Sequence, residues 1–122
     1  MAGKAIGEFS FKLVATRNSP GPAGSVLIEA SWEGTGTGFG AIFATTTYVG
    51  GPKGGTFSTS AVAYLEDGNA LTSAGQGTYE SIGKHRWRTE SLVQISDGRR
   101  LRGEGEIDLA SRSWKGTIFE MS

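Results

Sequence analysis

The sequence predicts an all-β protein, an eight-stranded antiparallel up-and-down β-barrel. Three observations predict it. Apolar residues nowhere recur at i, i+3, i+4, i+7 over two turns, so no amphipathic helix is indicated. Segments of alternating polarity, rich in Thr, Val, Ile and aromatics, are separated by Gly, Pro, Asn and Asp, the pattern of short antiparallel strands and turns. Finally, 20 of the 122 residues are glycine, more than twice the usual share of roughly 7%. With only three prolines this is not a proline-rich linker.

The strands are expected over Glu8–Arg17, Ser25–Glu33, Gly38–Val49, Thr56–Leu65, Asn69–Ile82, Lys84–Ile95, Arg99–Leu109 and Trp114–Met121. In the first, Phe9, Phe11, Leu13 and Ala15 share one face, with Glu8, Ser10, Lys12 and Thr16 on the other. In the second, Val26, Ile28, Ala30 and Trp32 oppose Glu29, Ser31 and Glu33. Loops are expected at Asn18–Gly24 and at Gly50–Gly55, the latter a flexible cover over the barrel mouth. Both hold the Gly and Pro that interrupt strands.

Two turns set register. Glu66-Asp67-Gly68 and Ser96-Asp97-Gly98 each read as a three-residue hairpin loop, a type I turn closed by a left-handed glycine. The second places Trp87 opposite Ile107 and Val93 opposite Leu101 on one face. On the other it places Arg88 opposite Glu106 and Arg86 opposite Asp108, with Glu90 facing Glu104. Opposed side chains on one face interact, so both faces are chemically matched but for that last pair. The first turn places Ala63 opposite Leu71 and Phe57 opposite Gly77. A four-residue loop, Ala110–Ser113, then sets Leu109 against Trp114, Ile107 against Gly116 and Gly105 against Ile118. Large side chains repeatedly face glycine, which suits the coiled strands of a closed barrel better than a flat sandwich.

Composition narrows the function. The length is that of one domain, residues 1–122. Twelve basic and twelve acidic residues balance, without the basic excess that nucleic acid or an anionic membrane surface demands. Absent cysteine excludes disulfides and thiol chemistry, and a single histidine excludes a two-His metal site. No apolar run approaches a membrane-spanning helix. Met1–Gly7 carries no apolar leader core, and a cytoplasmic location is expected.

Familiar motifs fail on their details. Gly34–Gly40 alternates glycine strictly and leads into no helix, so it is no phosphate loop. Arg86 and Arg88 alternate with His85 and Trp87 and do not form one stacking patch for nucleic acid. No G-x-S-x-G nucleophile is present.

The barrel interior carries the functional expectation. The inward set includes Ala30, Ala61, Ala63, Ser73, Gly75, Gly77, Ser91, Gly103 and Gly105, side chains small enough to leave a cavity. An eight-stranded barrel is just wide enough to be filled or to hold one small ligand. Candidate ligand-binding residues are the aromatics Phe9, Phe11, Trp32, Tyr48, Phe57, Tyr79 and Trp87. Two inward titratable groups are candidates for proton transfer, His85 and Glu120.

The run Asp97-Gly98-Arg99-Arg100-Leu101-Arg102-Gly103-Glu104-Gly105-Glu106-Ile107, followed by Trp114-Lys115-Gly116-Thr117-Ile118, resembles the last two strands of small bacterial allene-oxide-cyclase-like, calycin-like barrels. The resemblance implies a hydrophobic substrate held in the lumen, no cofactor and a homo-oligomer. It carries over no catalytic residue. The expected function is a cofactor-free barrel enclosing a small hydrophobic or amphipathic molecule. The alternatives are a cyclase or isomerase using Glu120 or His85, and a structural oligomer module with a filled core. Phe119, placed outward opposite Glu104, is the expected hint of a subunit contact.

Overall fold

A computed structural model describes residues 3–121; Met1 and Ala2, part of the segment read for a leader, lie outside them. The strands are β1 (Ala5–Pro20), β2 (Val26–Gly36), β3 (Gly40–Gly51), β4 (Gly54–Tyr64), β5 (Ala70–Gly83), β6 (Arg86–Ile95), β7 (Arg100–Asp108) and β8 (Ser113–Glu120). Each pairs with its sequence neighbours, and β8 closes on β1, giving a sealed eight-stranded antiparallel barrel. Closure leaves no sheet edge for another chain to pair with.

The two aspartate turns set the expected register. Trp87 opposes Ile107, Val93 opposes Leu101 and Phe57 opposes Gly77. Gly68 and Gly98 close their turns with φ of 92° and 97°. Asp67 and Asp97 accept the backbone N–H two residues on, from Asn69 and Arg99. The register on β7 is the expected one, but the arginines bond other acids than those directly opposite them there. Arg86 Nε donates to Glu106 at 2.9 Å, Arg88 reaches across to Glu80 at 2.6 Å, and Arg102 pairs with Glu104 on its own strand.

Four local expectations are corrected. The β7–β8 loop is Leu109–Arg112, so Ile107 opposes Trp114, Gly105 opposes Gly116 and Gly103 opposes Ile118. Asp108 causes this, because its Oδ1 accepts the Ala110 N–H at 2.9 Å and starts the turn early. The register slips by two residues, which keeps every side chain on its expected face. Phe119 then opposes Arg102, whose guanidinium covers its ring at 4.4 Å, so its apolar face is covered within the chain. A bulge between Leu13 and Ala15 leaves Val14 unpaired and 59% exposed. An extra residue inverts parity, so Thr16, opposite Ala30, turns inward and Ala15 outward. Last, the two expected loops are shorter than read: Asn18, Ser19 and Pro20 continue β1 against β2, and Gly50–Gly55 is no loose cover. Gly50 pairs with Gly55 and Gly51 with Gly54, leaving only Pro52-Lys53 as the turn.

Charge is divided around the cylinder. β3, β4 and β5 carry one charged residue between them, Glu80. β7 alone carries five, Arg100, Arg102, Glu104, Glu106 and Asp108. On the uncharged wall Phe43 and Tyr64 pack edge to face at 6.0 Å, both about half exposed.

Candidate functional site

The barrel axis is closed at mid-height by aromatic rings. Trp114, 5% exposed, is the hub: its ring centroid lies 5.4 Å from Phe9, 5.5 Å from Phe11, 5.5 Å from Trp32 and 6.0 Å from Phe57. Both buried indoles satisfy their N–H. Trp114 Nε1 donates to Thr89 Oγ1 and Trp32 Nε1 to Thr46 Oγ1, each at 3.0 Å. Thr89 and Thr46 are almost wholly buried. A buried donor left unmade would cost about 1–3 kcal/mol, so these two threonines fix where the indoles lie.

Glycine makes this waist possible. A Cβ at Gly105 would stand 2.8 Å from Phe9 Cζ and 3.1 Å from Trp114 Nε1. One at Gly77 would stand 2.8 Å from Phe57 Cζ. Of the large-against-glycine pairs expected from the sequence, Phe57 with Gly77 stands, and there the ring occupies the space that a side chain would take.

The waist divides the lumen in two. At the end bearing the β1–β2, β3–β4, β5–β6 and β7–β8 connections lies a cup of about 640 Å³. Leu13, Ile28, Ala30, Trp32, Ile107 and Leu109 give it apolar walls, and Thr16 and Asn18 reach it through the bulge. Among the described residues no Asp, Glu, Lys, Arg or His side chain lines it. At the other end lies a smaller cavity of about 130 Å³, lined by Phe9, Phe11, Ile42, Ala61, Ser91 and Gly103 among others.

Three aromatic polar groups border the cup. Tyr79 Oη donates to Gly51 O at 3.0 Å and Trp87 Nε1 to Pro52 O at 2.7 Å. With Ser81 N donating to Lys53 O at 2.8 Å, they pin the β3–β4 hairpin over the rim. Tyr48 packs on Phe57 and Tyr79 at 5.6 and 5.4 Å. Its hydroxyl is buried without a hydrogen-bond partner among the described residues. Burial pushes its pKa up to about 12, outweighing the Thr46 and Trp32 dipoles beside it, which favour the anion. Desolvation also raises Tyr79.

The sequence-derived candidates thus separate. Trp32, Tyr48, Tyr79 and Trp87 line the cup. Phe9 and Phe11 face the smaller cavity, and Phe57, 3% exposed, belongs to the waist. Both titratable candidates are exposed. His85 sits in the Lys84-His85 turn with φ of 54°, exposed, where strand parity no longer applies. Glu120 is exposed at the last residue of β8, at the opposite end of the barrel. Neither lines a cavity. Thr16, Asn18 and Leu13 were not among the sequence candidates for the cup. Thr16 and Asn18 were hidden because a bulge at Val14 leaves no mark in composition.

Among the described residues no three His, Cys, Asp or Glu side chains gather into a metal-holding group, and no helix is long and apolar enough to cross a membrane. No family model, curated protein or solved structure matches the chain.

Proposed function

We propose that the protein binds a small, uncharged, largely apolar molecule in the 640 Å³ cup. The observation that carries this reading is a wide apolar recess whose lining holds no ionisable group other than tyrosine. Burying about 200 Å² of ligand surface there is worth roughly 5 kcal/mol before the losses of association. A carboxylate would be desolvated with no cation to meet it, so the neutral charge state is part of the reading. Tyr48 contributes to the wall, its hydroxyl buried behind it. Neither His85 nor Glu120 lines either lumen cavity, so the cyclase or isomerase alternative lacks both of the groups expected to move its proton.

The test is calorimetric titration of the protein with 2-acetylnaphthalene and with 2-naphthoate. The neutral ketone is expected to bind at least tenfold more tightly, a difference of about 1.4 kcal/mol. Equal affinity, or no binding of either, overturns the reading.

Self-association belongs to the same proposal through the wall of β3–β5. A second copy meeting Phe43 and Tyr64 there desolvates no charge on those strands except Glu80. Light scattering should show a dimer or larger assembly that F43E with Y64E disperses. A monomeric wild type removes this part and leaves the cup untouched.

A further inference from the structure

We propose that the 130 Å³ cavity below the waist is a second binding site, independent of the cup, for an apolar molecule about the size of one benzene ring. Its walls are built asymmetrically. Phe9, Phe11 and Trp114 close its upper side, while Ala44, Ala61, Ser73, Ser91 and Gly103 line it with side chains too short to reach across. The void is therefore a consequence of sequence, a run of small inward residues on β3 to β7 facing large rings on β1 and β8. Engineered apolar cavities of about 150 Å³ take up benzene or xenon; this one is of that order in volume, but it is partly open to solvent and Arg102 is among its lining residues.

The floor supplies an entrance. Phe39 is not on a strand; it belongs to the β2–β3 turn, yet it is 7% exposed and lines the cavity. Its N–H donates to Gly36 O at 2.9 Å, and Gly38 and Gly40 flank it with φ of 82° and 69°. A Cβ at Gly40 would stand 2.4 Å from Tyr64 O, so the turn is held tightly against β4 and the ring is folded under the barrel. On its outer side the Arg99 guanidinium sits 5.0 Å from the ring centroid, itself held by Asp97 at 2.9 Å. Phe39 is thus a single side chain on a two-glycine turn between the cavity and solvent. The remaining floor residues, Ile95, Leu101 and Ile118, are anchored in strands. Phe39 is the lining residue set on a turn, so its rotation widens the cavity without breaking the barrel.

The probe is benzene, added to the full chain and read by methyl NMR at Ala44, Ala61 and Ala63. Saturable shifts at these alanines are expected, with none at Ala30 in the cup. A61L should weaken benzene binding at least tenfold while leaving 2-acetylnaphthalene affinity within twofold. F39A should speed benzene entry at least tenfold. Crystals of the wild type under xenon pressure give a readout that needs no variant: one xenon in the cavity is expected. Benzene shifts confined to the cup, wild-type benzene affinity in A61L, or a cavity holding only ordered water overturns the proposal. The cup's own titration decides the reading of the cup.

Discussion

The two ends of the barrel are built from the same strands and differ in what closes them. The lower end has three short turns and a buried ring, Phe39, tucked beneath a set of aliphatics. The upper end has a bulge in β1 and a hairpin tied down by Tyr79 and Trp87. One leaves a pore for a single ring and the other an open cup. The difference shows that barrel capacity is set less by strand number than by where rings cross the axis. Trp114 stands between the two spaces, and moving it changes both.

The largest expected effect follows from that position. Trp114→Ala removes the hub of four aromatic contacts and strands the Thr89 hydroxyl. Urea unfolding should show a loss of about 3–5 kcal/mol. It should also erase the distinction between the ends, letting 2-acetylnaphthalene shift Ala61 as well as Ala30. A stability change below about 1 kcal/mol would mean that the waist is not the core.

Tyr48 sharpens the comparison by pH. Its folded pKa of about 12 lies above the ordinary value of 10. The unfolded chain therefore ionises first on the alkaline side. The contribution is complete below pH 10 and is lost as pH rises from 10 to 12, by about 3 kcal/mol in all. Chemical denaturation across that range should fall more steeply in the wild type than in Y48F. Parallel curves would mean that the hydroxyl is solvated.

Two smaller effects address the closures. Trp87→Phe deletes the indole donor to Pro52 O and should cost about 1 kcal/mol, with faster amide exchange at Ser81, whose N–H bonds Lys53 O. Unchanged exchange would show that the hairpin is held otherwise. Arg88→Ala removes an exposed ion pair with Glu80, each side chain more than half accessible. It should move stability by no more than about 0.5 kcal/mol in urea unfolding. A larger change would give the outer wall a role in stability that its exposure denies.

Much of this was legible in the sequence because side-chain alternation and turn chemistry are local. Asp67-Gly68 and Asp97-Gly98 specified odd hairpin loops, and through them the pairing of Phe57 with Gly77 and Trp87 with Ile107. The failures were also local, but silent. Leu109 reads as a strand residue, yet Asp108 begins the turn and leaves Leu109 40% exposed. The Lys84-His85 turn has a left-handed histidine where glycine would have announced it, and so His85 was placed inward. The bulge at Val14 hid Thr16 and Asn18. The partition of the lumen was out of reach for a different reason. Parity says which side chains point inward, but whether Phe57 lines a cavity or plugs it depends on its height along the axis and its rotamer.

The most direct test is a crystal structure of the wild-type protein with 2-acetylnaphthalene. The ligand should lie in the cup against Ile28, Tyr79 and Trp87, with Trp114 unmoved and no ligand beneath it. Density running through the centre of the barrel with Trp114 displaced, or a fully loaded soak with the cup vacant, would contradict a lumen divided by its aromatic rings.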